Sequence, residues 1–366
     1  MKQFSKSIVL VVIMSLIGFN SFASVCIENA DGVKIYYNFD YSDNVTKAVV
    51  TVASPAGSYA GDIVIPEEII YRERSIKVTA IDKSAFGWCP NLTSVSIPNT
   101  VKTIGDYAFY NDNLTSLTIG SGVTFIGNSA FSNCTIDSVF ISDIAAWCNI
   151  DFSEYGSQPR SSLYLNGELL SNLIIPEGVT AIGCNAFYGC PIENVTIPNS
   201  VTTIGDHAFY DCSIRIVFIP NSVTSIGEYA FENPYSLNKV IIGSNVTSIG
   251  SHAFNRSGYY GSVEAVFSLI EEPFEIPGIS DIDNSPFSKT TFEETPLYVP
   301  VGTLDKYKAT KGWKDFKIIE EATSVIGVKR ETTTSSRYYT IDGRQVDGDP
   351  LSKGIYIQEG RKVVVK

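Results

Sequence analysis

Leu92-Thr93-Ser94-Val95-Ser96-Ile97-Pro98-Asn99-Thr100-Val101-Lys102-Thr103-Ile104-Gly105-Asp106-Tyr107-Ala108-Phe109 is one statement of a phrase that the chain makes seven times. Its closing part, Ile-Gly-x-x-Ala-Phe, begins at Ile81 (with Asp82 in place of Gly), Ile104, Ile126, Ile182, Ile204, Ile226 and Ile249. The steps between those isoleucines are 23, 22, 56, 22, 22 and 23 residues. A fixed period of this length is the mark of a solenoid, in which each unit buries its apolar face only against its neighbours. The step of 56 reads as the same period with an insertion.

Each unit has three parts. Leu92, Val95 and Ile97 alternate with Thr and Ser, the pattern of a half-buried strand. Pro98-Asn99-Thr100, Pro176-Glu177-Gly178, Pro198-Asn199-Ser200 and Pro220-Asn221-Ser222 are turns, where Pro presets φ and ends the ladder. A short helical turn is then expected up to Ala-Phe. Asp106, Asn128, Asp206 and Ser251 follow the Ile-Gly pair and are read as its N-caps.

The phrase resembles the leucine-rich repeat of the BspA-like family of bacterial surface proteins, over about residues 63–321. The expected fold is an α/β repeat rich in β. It is a leucine-rich-repeat solenoid of stacked parallel strands with short helical turns, β caps at the N-terminus and a small β C-terminal tail. Ile144 to Cys148, followed by Leu163 to Gly167, resembles that family's longer irregular unit, here near 136–172. Residues 24–62 read as an N-terminal β cap, and 295–321 as a C-terminal cap in which Thr303 caps a helix and Trp313 and Phe316 cover the last coil.

The ends carry an address. Lys2 and Lys6, an apolar run from Ile8 to Ile17 and the small residues Ser21 and Ala23 have the layout of a signal peptide, residues 1–23. The run is too short to span a bilayer. Residues 322–336 read as a linker. Residues 337–366, with Gly354-Ile355-Tyr356-Ile357 and a closing Val364-Val365-Lys366, resemble a type IX secretion sorting tail. The implied location is the outer surface or exterior of a Gram-negative bacterium. A small β module packed on the cap is the alternative for the tail.

Composition narrows the function. With 27 Lys+Arg against 39 Asp+Glu the net charge is −12, which argues against nucleic-acid and polybasic membrane binding. Only two His are present, no Cys-x-x-Cys or His-Glu-x-x-His occurs, and no cofactor or metal is expected. Cys89, Cys134, Cys190 and Cys212 each stand three residues after a repeat Phe, so they read as small buried side chains. A disulfide or a metal remains the alternative. Asp206 and Glu228 occupy equivalent places on neighbouring coils, a spacing that would suit a retaining glycosidase, but the capping slot already explains acids there.

Tyr107, Tyr110, Tyr188, His207, Tyr210, Tyr229 and His252 gather around the Ala-Phe turn and are the candidate binding stripe. Mutual shielding of the Phe column is the competing explanation. The expectation is a non-enzymatic secreted or surface repeat protein that binds an extracellular protein or glycan; the resemblance implies an adhesin. An accessory glycan-binding or glycan-degrading protein, or a purely structural surface component, is the alternative.

Overall fold

The computed structural model describes residues 24–40, 47–53, 55–152, 158–159, 161–232, 236–256 and 263–322, and the backbone of four strands between 338 and 365. The expected signal peptide lies outside the described residues, as does nearly all of the expected linker. The chain divides into two compact units, residues 1–171 with 183–191, and residues 172–182 with 192–366.

In the first unit the alternating segments form a sheet of long strands. Ala60–Val64, Asn91–Ile97, Ser116–Ile119, Ser138–Ile141 and Ser162–Leu165 pair in parallel, and Glu168–Leu169 returns antiparallel at the edge. The register follows the repeat: Val95 stands beside Leu117, and Leu117 beside Val139. All three are buried, so the intervening Ser96, Thr118 and Phe140 face outward. Shorter strands form a second sheet. Arg74–Ile81, Thr103–Ile104, Phe125–Ile126 and Asp151–Phe152 run parallel, preceded by the strands Val25–Glu28, Lys34–Asp40 and Lys47–Val50. In the irregular unit, Asp143 caps the helix Ile144–Cys148 by accepting from the Ala146 N–H at 3.0 Å.

The second unit has the same plan. Ala181–Ile182, Thr203–Ile204, Ser225–Ile226 and Ser248–Ile249 stack in parallel. The long strands Ile216–Phe218, Lys239–Ile242, Ala265–Ser268, Pro296–Val299 and Ile318–Glu321 form the other sheet. Phe218, Ile241, Phe267 and Tyr298 stand side by side on its outward face and add a small apolar cluster apart from the main core. The four strands of the tail form an antiparallel sheet of their own.

Stacked rings hold the coils. In the first unit Phe86, Phe109 and Phe131 lie with centroids 5.0 and 5.1 Å apart and planes within 7°. In the second, Phe209, Phe231, Phe254 and Phe287 continue at 5.1, 5.7 and 5.8 Å. Phe287 comes from an irregular stretch that shows no repeat in the sequence. Even so, His252 and Phe254 donate their N–H groups to Ser285 O and Pro286 O. Tyr229 and Phe231 do the same to Ser251 O and Ala253 O one coil earlier. Ser285-Pro286-Phe287 is therefore a disguised copy of x-Ala-Phe. Phe292, Trp313 and Phe316 close over Phe287 edge-on.

Three local expectations change. The helical turn is realised as successive i→i+3 turns, Ala108 N to Gly105 O and Tyr110 N to Tyr107 O. The residue between them is left-handed in every copy: Ser84, Tyr107, Ser129, Asn185, His207, Tyr229 and His252 all have φ between 52° and 60°. That turn has no helix N-terminus to cap, so Asp106 and Asp206 reach across the stack. Asp106 Oδ1 accepts from Asn128 N at 2.9 Å, and Asp206 Oδ1 from Glu228 N at 2.7 Å. The glycine of the next coil, just before the N–H that the carboxylate accepts from, is required by the same stacking. A Cβ on Gly127 would lie 2.6 Å from Asp106 N, and one on Gly227 2.5 Å from Asp206 N. At the C-terminal cap, Thr303 donates its hydroxyl to Pro300 O at 2.7 Å and does not cap the helix Leu304–Ala309 through its side chain.

Candidate functional site

The left-handed slot carries a partly or fully exposed side chain in six of the seven copies, Asn185 being the buried one. In the second unit this puts three expected residues into one file. His207, Tyr229 and His252 stack at 4.9 and 4.9 Å with planes within 13°. Tyr210 leans against His207 at 5.6 Å and Tyr229 at 6.5 Å. Burial pulls the His207 pKa below its ordinary value, against the opposing pull of Asp206 and Glu228. His252 is fixed at both nitrogens. Nε2 donates to Asp283 O at 2.9 Å, and Nδ1 accepts from Asn255 Nδ2 at 3.2 Å; the carbonyl partner dictates that tautomer. The same Asn255 amide also donates to Glu232 Oε1 at 3.0 Å, and burial raises the Glu232 pKa.

In the first unit Tyr107 and Tyr110 meet edge to face at 5.6 Å, and Lys83 Nζ lies 5.8 Å from the Tyr107 ring centre. Tyr188 does not join the rim. It is 5% exposed, so its ring serves the core and is removed from the candidate stripe.

The residue that the sequence reading missed is Trp88. It packs on Tyr110 at 5.5 Å and is 62% exposed. It also occupies a second left-handed slot, with φ 62°. Other coils place Asn111, Asn133, Gly189 and Asp211 there, residue types that tolerate this conformation. A bulky ring in that slot is held at a backbone cost. Aligning the residues two places after each repeat Phe would have shown it.

The nucleophiles are quiet. Among the described residues no disulfide forms. Burial pushes the thiol of Cys89 up to about 11 and those of Cys134, Cys148 and Cys190 to about 12, which keeps them protonated. Among the described residues no group of three or more His, Cys, Asp or Glu is placed to hold a metal. Asp206 and Glu228 are both exposed, and their link is the Asp206–backbone bond across coils. Asp206→Ala is therefore expected to destabilise by about 1 kcal/mol, while Asp206→Asn, which keeps the acceptor, changes little. Chemical denaturation checks this; equal losses in both variants would show that the cross-coil bond contributes nothing.

A family profile described as the BspA type leucine rich repeat region, in six copies, matches residues 78–154 and 160–270, just over half of the chain. The chain is similar to a solved leucine-rich cell surface protein from Faecalibacterium prausnitzii. The identity is 21%, over 85% of this chain and 96% of that one, with a TM-score of 0.35. It is also similar to a leucine-rich repeat protein from Bacteroides ovatus, at 20% identity over 81% and 80% of the two chains, with a TM-score of 0.35. A comparison with curated proteins finds no match.

Proposed function

Because the chain belongs to the BspA-type leucine-rich repeat family, we propose that it is a non-enzymatic, exported surface protein that binds another protein through the aromatic rim of its coils. Trp88 carries the reading: an exposed indole, propped by Tyr110 and held in a conformation that its equivalents fill with Asn, Gly or Asp. Large aromatic side chains dominate the affinity of protein interfaces, and the neighbouring Lys83 adds a charge at the edge of the patch. In the second unit, the His207–Tyr229–His252 file favours a protein partner over a sugar at that unit's own rim. Its ring faces are spent on one another, so it offers edges and polar atoms.

Export rests on the charged, apolar and small-residue layout of residues 1–23, with residues 337–366 as the sorting tail. Among the described residues no helix is long and apolar enough to cross a membrane.

The test is binding of the full chain to a panel of purified extracellular matrix proteins, with surface labelling of intact producing cells. Saturable binding is expected, weakened by on the order of 30-fold in Trp88→Ala, with a smaller loss in Tyr107→Ala. No saturable binding to any panel member, or full affinity in Trp88→Ala, overturns the rim reading. Failure to label intact cells overturns the location.

A further inference from the structure

We propose that the outward face of the long-strand sheet in the first unit binds one ring of an uncharged sugar against Phe140. This site is separate from the aromatic rim. Strand register sets Ser96, Thr118, Phe140 and Tyr164 in one row across four neighbouring strands. Phe140 stacks on Tyr164 at 5.0 Å with 28° between planes, so one of its faces is used. The opposite face looks toward Thr118, an exposed and much smaller side chain. The row therefore steps down from ring to hydroxyl, and a cavity of about 340 Å³ opens over that step.

The lining fits a pyranose. Phe140 offers a flat face for the C–H side of a ring, while Thr118 and Ser142 bring hydroxyls, Asn99 and Asn166 bring amides and Glu67 brings a carboxylate. Among the described residues no Lys, Arg or His lines the cavity, and the one charge there is negative, which disfavours phosphorylated and acidic sugars. The irregular unit supplies one wall. Asn166 and Gly167, at φ 52° and 89°, form the tight turn between the strands Ser162–Leu165 and Glu168–Leu169. Beside the pocket, Ser94, Ser116, Ser138 and Ser162 form a second row in register. That row would meet the hydroxyls of the next sugar in a chain.

The experiment is saturation-transfer NMR on the full chain with methyl glycosides of glucose, galactose, mannose and N-acetylglucosamine, each at millimolar concentration. At least one is expected to receive saturation, strongest at the axial C–H protons that face the ring. Phe140→Leu, which keeps apolar volume but has no aromatic face, should weaken that ligand by about tenfold. Thermal unfolding confirms that this variant is folded. Trp88→Ala should leave the signal unchanged, so that failure here and failure of the rim reading are told apart. No transfer to any of the four glycosides overturns the proposal. So does transfer that persists undiminished in folded Phe140→Leu, or binding only of glucose 6-phosphate and glucuronic acid run in parallel.

Discussion

Phe109→Ala is expected to destabilise the first unit by about 3–5 kcal/mol, the range for emptying a large aromatic site in a packed core. The ring is fully buried and stacked on both faces, 5.0 Å from Phe86 and 5.1 Å from Phe131. Removing it unstacks two neighbours as well as opening a cavity. In a repeat protein the interfaces between coils supply the stability that single coils lack, so the loss spreads along the stack. Hydrogen exchange should show it as faster exchange at the Phe86 amide, which donates to Ala108 O of the next coil, and at the Ser132 amide, which closes its own turn on Ser129 O. Phe109→Leu should fall between wild type and Ala. A loss below about 1 kcal/mol in urea unfolding would show that the column of rings does not hold the coils.

The second large effect is on pH. Asp112 takes the place, three residues after the repeat Phe, that Cys89, Cys134, Cys190 and Cys212 take in other coils. It is 1% exposed. Its Oδ1 accepts from the Cys89 N–H at 2.7 Å, and its Oδ2 is buried with no hydrogen-bond partner among the described residues. Burial pushes its pKa up to about 8, although the Cys89 N–H favours the anion. The folded chain thus keeps a proton that the unfolded chain gives up near pH 4. Between about pH 4 and pH 8 the unfolded state binds fewer protons, so stability is full below that window and falls as pH rises through it. The expected decline is on the order of 3 kcal/mol, taken as the difference between wild type and Asp112→Asn, which cancels the other titrating groups. Asn keeps the acceptor for Cys89 and carries no charge. Asp112→Cys, which restores the residue of the other coils, should likewise gain stability at pH 8. Parallel pH profiles for wild type and Asp112→Asn would show that this carboxyl does not titrate in the window.

Much of the fold was legible in the residues. The alternation of Leu92, Val95 and Ile97 placed the strands, the Pro turns marked their ends, and the phenylalanines of the phrase predicted the stacked columns found within each unit. The site was legible only in part. Tyr107, His207, Tyr229 and His252 were found because they recur in one slot, and Tyr110 and Tyr210 because they lie beside it. Tyr188 shares the Tyr110 slot yet is buried, since burial depends on what packs above it and not on the phrase. Trp88 was hidden because a single indole breaks no period.

What the sequence determined alone is whatever follows from local periodicity: the coil, its strand and turn, and the apolar column, since a side chain repeated every 22 or 23 residues must fall on one line once the strands pair. What only the tertiary structure decided is whatever depends on the neighbouring coil. Asp106 and Asp206 bond backbone 22 residues away, Ser285-Pro286-Phe287 completes a coil without its consensus, and Phe140 has a free ring face because Thr118 is its neighbour. Such contacts join residues far apart in the chain, and their geometry exists only after stacking has brought them within a strand spacing of about 4.8 Å.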